Sequence, residues 1–252
     1  MHRFIVDSGE IRSSKIILSP KESRHALSVL RLKVGARVCL MDGKGSLVSG
    51  IVGSVEGGRV HVIAGKDLAR TDSSKVQVTL AISVIKSDRM EWLLEKACEL
   101  GVFAIKPIVT ERCVIKISKE RWRSKLERWR KIAAESCKQC GLVNLPRIDE
   151  VVNLKELTAQ ISGYDKVLIP TLAVRGETLS SLLNFKTEKR PHVLMFIGPE
   201  GDFTRKEVES VLDRGGQAVT LGDLILRSET AGVYVLSALN FFYEELSAGK
   251  HN

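Results

Sequence analysis

The chain has 252 residues, 44% of them hydrophobic, and only six prolines, which is enough apolar material for a substantial core and excludes a disordered chain. Its net charge is +9, and residues 1–150 hold 28 of the 39 Lys/Arg against 17 of the 30 Asp/Glu, so the basic excess lies wholly in the first part and points to a polyanion, most commonly nucleic acid. No apolar run reaches membrane-spanning length, "MHRFIVDSGE" lacks a secretory core and five cysteines make no disulfide ladder, so the expectation is a cytoplasmic protein with no membrane and no metal partner.

Residues 1–66 read as short strands. "RFIV", "KIIL", "ARVCLM", "SLVSGIVGSV" and "RVHVIAG" are rich in β-branched residues, and Asp42-Gly43-Lys44-Gly45 and Glu56-Gly57-Gly58 suit tight hairpins. One helix intervenes in "SPKESRHALSVLRLKVG", with Ser19 as N-cap, Pro20 at the first helical position and Gly35 past its end. Together they predict a small β-barrel domain over residues 1–70, and the polar "DLARTDSSK" (67–75) reads as a linker.

From Val76 the period changes. "VQVTLAISVI" is a strand, and "SDRMEWLLEKACELG" a helix with Asp88 and Glu91 as capping box and Gly101 at its end. The next strand, "VFAIKPIVT", completes a βαβ unit and implies a parallel sheet. A long helix from about Lys119 to Cys140 places Trp122, Leu126, Trp129, Ala133 and Cys137 on one stripe, with Arg121, Lys125, Arg128 and Lys131 on other faces. That spacing assigns the tryptophans to the core rather than to base stacking. Cys137 and Cys140 form a C-x-x-C with no second ligand pair, and both continue the stripe as packing residues. Strands "KVLIP", "VLMFIG" and "QAVTL" and helices over 204–214 and 228–246 complete an α/β domain spanning 71–252.

In open α/β sheets, ligands gather beyond the carboxyl ends of the strands. "LIPTLAVRGE", "FIGPEGDF" and "LGDLILRSETA" all leave strands in that way. Gly198 and Gly201 permit close backbone approach or a positive φ, and Pro199 stiffens the turn. Thr204 and Glu207 cap the following helix, so its free N–H groups face the loop. Apolar Leu224-Ile225-Leu226 suits a flat ring, and Arg227 and Glu229 a reacting end. Taken alone, these loops describe a nucleotide-like cofactor site.

"FIGPEGDFTRKEVE…LGDLILRSETA" resembles the C-terminal signature of the 16S rRNA (uracil-N3)-methyltransferase family, the RsmE type, within the SPOUT class. "HRF", "SRHALSVLRLKVGARV" and "DGKG" resemble that family's PUA-like barrel, and "KSDRMEWLLEKACELGV", "ERCVIK" and "RWRKIAAESCKQCG" its middle. The resemblance implies a parallel-sheet SPOUT domain with a C-terminal trefoil knot, binding S-adenosylmethionine, and a homodimer with each active site at the subunit interface. It places the cofactor against Leu172, Ile197, Gly198, Glu200, Gly201, Leu221, Gly222, Ile225, Leu226 and Arg227. The chain departs from the family pattern at Asp202, where a second glycine is usual, at Ser228 for threonine, and at Leu142 and Asn144 for arginines.

Methylation of uracil N3 requires loss of the N3 proton and in-line placement. The expected participants are Arg227 on the carbonyl oxygens, with Glu200 or Glu229 as proton acceptor. RNA contacts are expected from Arg3, Arg24, His25, Arg31 and Lys33 in the barrel and from Lys86 and Arg89 after it, with 16S rRNA or the small ribosomal subunit as substrate. Two alternatives remain open: a SPOUT methyltransferase with another RNA target, and a non-catalytic RNA-binding ribosome-assembly factor. A Rossmann-type dehydrogenase lacks its early glycine fingerprint.

Overall fold

A computed structural model describes residues 1–68, 75–113, 119–183 and 190–248. The chain divides into two compact units, one of residues 1–73 with 134–145, the other of residues 74–133 with 146–252. The 70/71 boundary and most of the "DLARTDSSK" linker lie outside the described residues.

The first unit is a five-stranded sheet of β1 (His2–Ile5), β2 (Lys15–Ile17), β3 (Arg37–Met41), β4 (Leu47–Glu56) and β5 (Arg59–Asp67). Their order is β1-β3-β4-β5-β2, with β1 parallel to β3 and the other pairs antiparallel. All five strands feed one core that includes Phe4, Ile16, Leu40, Val52 and Val62. No ladder joins β1 to β2 among the described residues, so the expected barrel is not hydrogen-bonded closed.

Ser19 caps α1 (Pro20–Arg24), accepting from the Glu22 amide at 3.2 Å, with Pro20 at the first turn as expected. The helix then widens into a π-turn over His25–Val29 and stops at Leu30, short of Gly35. Arg31 already takes a left-handed backbone (φ 52).

Residues 134–145 join this unit through side chains rather than sequence order. Lys138 is buried between Glu22 (3.0 Å) and Glu135 (2.7 Å). Arg3 donates to the carbonyls of Lys138 and Gln139 at 2.9 and 3.1 Å, capping a helix C-terminus where a cation is favoured. Asn144 bridges to Lys44, and Leu145 donates its amide to the Gly43 carbonyl at 2.9 Å.

The second unit is a wholly parallel sheet. Its strands are β6 (Gln77–Ser83), β7 (Ala104–Val109), β8 (Arg147–Ile148), β9 (Val152–Asn153), β10 (Lys166–Pro170), β11 (Glu177–Thr178), β12 (His192–Ile197) and β13 (Gln217–Thr220). The order is β11-β13-β10-β12-β6-β7-β8, with β9 also on β7. The helices are α2 (Ser87–Glu99), α3 (Lys119–Cys140, which from Ala134 on belongs to the first unit), α4 (Leu154–Thr158), α5 (Leu179–Leu183), α6 (Arg205–Leu212) and α7 (Ser228–Ala248). Central strands are buried on both faces, as Leu80, Ile82, Leu194 and Phe196 show at 0% exposure.

In α2, Met90, Leu93, Leu94, Ala97 and Cys98 form the buried stripe. The Asp88–Glu91 capping box is absent. The N-cap falls two residues earlier, on Lys86, which caps without a side-chain bond, and Glu91 instead grips Arg128 with bonds of 2.5 and 2.7 Å. Gly101 follows the end with φ 70, as expected. In α3, Leu126, Trp129, Ala133 and Cys137 are buried and Trp122 is half-buried, packed on Trp129. Cys140, at the last position of α3, is exposed, which corrects its assignment as a packing cysteine.

Candidate functional site

The chain leaves β10 for β11 at the sheet edge, passes to the far side of β10 to make β12, then returns to make β13 between β10 and β11. This crossing brings the carboxyl ends of β10, β12 and β13 side by side, and the three loops there enclose a cleft of about 400 Å³. Small-molecule sites occupy roughly 300–1,000 Å³. Pro170–Leu172, Ile197–Asp202, Val219–Gly222 and Leu224–Ser228 supply its walls. All ten residues expected at the cofactor, from Leu172 to Arg227, line this one cleft.

Its apolar wall is open to solvent. Leu172, Leu224 and Ile225 are 69%, 81% and 80% exposed, so their side chains lack the cover that apolar groups usually find within a chain. A flat heteroaromatic ring fits that need. The opposite wall is the GPEGD turn. Thr204 and Glu207 form the full capping box at the start of α6, as expected, and the Ser228 hydroxyl donates to the Gly198 carbonyl at 2.7 Å. The cleft therefore combines an uncovered apolar wall, glycine backbone and the charged groups Glu200 and Arg227, a combination that fits an S-adenosyl compound.

Neither Gly198 nor Gly201 has a positive φ; that conformation falls on Asp202 (φ 57) and on Gly222 (φ 113). At Gly198 the space is tight: a Cβ there would stand 3.1 Å from the Phe203 ring, which would have to give by a few tenths of an ångström. The turn is also held by Arg112, which donates to the Gly201 carbonyl at 2.7 Å. Sequence reasoning gave Arg112 no role, since nothing local links it to a turn 89 residues away.

The other expected participants separate. Arg227 is exposed at the cleft. Glu200 lines it, whereas Glu229 does not. Glu229 is 12% exposed, and its Oε2 is buried without a hydrogen-bond partner. Arg89, expected on RNA, instead lies between the two acids, 3.3 Å from Glu200 and 3.7 Å from Glu229. Lys86 is exposed beside it.

In the first unit, Arg24, Arg31 and Lys33 are exposed and suited to phosphates. Arg3 is committed to helix capping, and His25 is half-buried edge-on to Phe4. Among the described residues, no cluster of His, Cys, Asp and Glu could hold a metal, and no helix is long and apolar enough to cross a membrane.

Comparison with known proteins gives the same assignment to both units. The RNA methyltransferase domain model matches residues 72–240, and the RNA methyltransferase PUA domain model residues 18–64. The ribosomal RNA small subunit methyltransferase E of Bacillus subtilis is 29% identical over 232 residues, 91% of each chain. Its namesake from Mesomycoplasma hyopneumoniae is 28% identical, covering 94% of this chain and 98% of the relative. The ribosomal RNA small subunit methyltransferase E from Neisseria gonorrhoeae, solved bound to S-adenosyl methionine, superposes with a TM-score of 0.85 at 29% identity, covering 96% and 98% of the two chains.

Proposed function

The chain belongs to the RNA methyltransferase family, with that family's PUA domain ahead of the catalytic one, and from this we propose that its cleft holds S-adenosylmethionine for methylation of N3 of a uridine in small-subunit rRNA. It is an S-adenosylmethionine-dependent rRNA methyltransferase. The observation that carries the cofactor assignment is the convergence of all ten expected residues on one cleft beyond β10, β12 and β13.

When bound, S-adenosylmethionine supplies an electrophilic methyl group. Leu172, Leu224 and Ile225 would hold its adenine ring, and the backbone of Gly198 to Gly201 would take its polar part. Uracil N3 becomes a nucleophile only when its proton leaves, so a base and an anion-stabilising group are both required. Glu200 lines the cleft and takes the proton, directly or through water; Glu229, turned away, supports it through Arg89. Arg227 stabilises the charge that develops on the uracil carbonyl oxygens.

A base inside a duplex is out of reach, so the target uridine is unpaired or flipped. Arg24, Arg31 and Lys33 on the first unit and Lys86 on the second hold phosphates without reading sequence. The trefoil knot and the homodimer implied by the family resemblance belong to this proposal. Tyr234 and Phe241, seven residues apart on α7, are 45% and 67% exposed and offer an apolar stripe for a second copy. A ribosomal substrate places the enzyme in the cytoplasm.

Two measurements test the proposal. Calorimetry with S-adenosylmethionine should show saturable binding, and 16S rRNA from a deletion strain should lack N3-methyluridine. Absence of heat would favour an assembly factor that binds RNA without catalysis, and an unchanged nucleoside profile would point to another RNA target.

A further inference from the structure

Asp202 holds a backbone conformation (φ 57) that glycine adopts freely and that, among other residues, Asn and Asp tolerate best. Its side chain adds something that glycine could not. Oδ2 accepts from the Thr171 hydroxyl at 2.9 Å and from the Leu172 amide at 2.8 Å. The Asp202 amide donates to the Pro199 carbonyl at 3.0 Å, and the Thr171 hydroxyl accepts from the Ala173 amide at 3.0 Å. One carboxylate oxygen thus joins the turn leaving β12 to the first residues leaving β10. Among the described residues, these two bonds are the hydrogen bonds that cross between the two loops.

Between β10 and Val174, where the chain packs again on the core, the loop has little else to hold it: Leu172 is mostly exposed and Ala173 is exposed. The opposing turn, in contrast, is fixed by Arg112 at Gly201 and by Ser228 at Gly198. The Thr171–Ala173 segment is therefore tied to the secured turn at a single side chain.

We propose that Asp202 is a positioning residue: a latch that sets Leu172 against the GPEGD turn, so that the cofactor cleft is formed before the cofactor arrives. The latch rests on the assignment of this cleft to S-adenosylmethionine. Without it, the loop after β10 samples arrangements that do not bind, and the apparent dissociation constant rises as the competent fraction falls.

The latch depends on an acceptor at the Oδ2 position and not on charge. An asparagine tolerates the same backbone, and its amide oxygen can accept both bonds. A glycine keeps the backbone and loses both. Asp202→Gly should therefore bind S-adenosylmethionine about tenfold more weakly, the scale of two hydrogen bonds of ordinary net strength. Its KM for the cofactor should rise with kcat nearly unchanged. Asp202→Asn should stay within about twofold of the parent.

Hydrogen exchange on the ligand-free full-length protein reads the latch directly. The Leu172 amide should be protected in the parent and in Asp202→Asn, and exposed in Asp202→Gly. Parent-like exchange or parent-like affinity in Asp202→Gly would overturn the proposal. So would an Asp202→Asn protein as weak as Asp202→Gly, because charge would then be the cause. If the parent itself binds no S-adenosylmethionine, the cofactor assignment fails, and exchange at Leu172 still decides whether Asp202 latches the loop.

Discussion

The Ser228 hydroxyl donates to the Gly198 carbonyl at 2.7 Å. This bond ties the first residue of α7 to the first residue after β12, so two of the three cleft loops share one fixed point. Ser228 is 5% exposed, and water does not readily replace its hydroxyl. Ser228→Ala should cost about 1–2 kcal/mol in stability, the range for leaving a mostly buried acceptor unpaired, and should weaken cofactor binding several-fold. Ser228→Thr keeps the hydroxyl and should bind normally. Urea denaturation and calorimetry on the two variants provide the check.

Arg227 carries the heaviest chemical expectation and the lightest structural one. It is exposed and makes no ion pair among the described residues, so Arg227→Ala should change stability by less than about 0.5 kcal/mol. Its removal should lower kcat by about 10²–10³, as for loss of one electrostatic donor at a developing anion. The measurement is methyl transfer to small-subunit rRNA by single-turnover assay. A turnover near that of the parent removes Arg227 from the mechanism.

The long elements were legible because their side chains repeat. β-Branched runs gave β1 to β7, β10, β12 and β13, and a 3.6-residue stripe gave α2 and α3. β8, β9 and β11 were missed because two residues carry no β-branched run, and α4 and α5 because five residues are too few to show a helical period. The cleft was legible through its glycines and apolar run, and through a family resemblance quoted on the same residues. What holds the cleft was not. Arg112 on Gly201, Arg89 on Glu200 and Asp202 on Leu172 join residues 30 or more positions apart, and only the fold brings them together. Of the two readings open for Gly198 and Gly201, close approach or a positive φ, the positive φ falls instead on Asp202: propensity favours Gly, and a side-chain bond to another loop outweighed it.

Arg89 joins two carboxylates that differ in burial. Glu200 faces the cleft, and Glu229 is mostly buried, with one oxygen unpaired. Removing the guanidinium leaves the Glu229 charge without its partner. Arg89→Ala should therefore destabilise the protein by about 1–3 kcal/mol, between the values for exposed and buried pairs. Glu229→Gln introduced into that background should recover part of the loss, because no charge then remains to be neutralised. A double-mutant cycle in urea gives the coupling, and strictly additive losses would show that the two groups are independent.

His192 sets a pH dependence that has nothing to do with catalysis. Its ring lies edge-on to Phe103 and tilted against Tyr164, and its Nε2 lies 2.9 Å from the Thr79 hydroxyl. Burial holds its pKa below the usual histidine value of 6.5, despite the nearby Asp165 carboxylate, which acts in the other direction. The unfolded chain therefore takes up this proton first as the pH falls. Stability from His192 is complete above about pH 6.5 and is lost as the pH drops through the lower, folded-state value. Urea midpoints should accordingly fall between pH 7.5 and 5.5 in the parent. In His192→Gln, which keeps a polar partner for Thr79 and cannot titrate, the fall should be smaller. An equal slope in both proteins would assign the effect to another group.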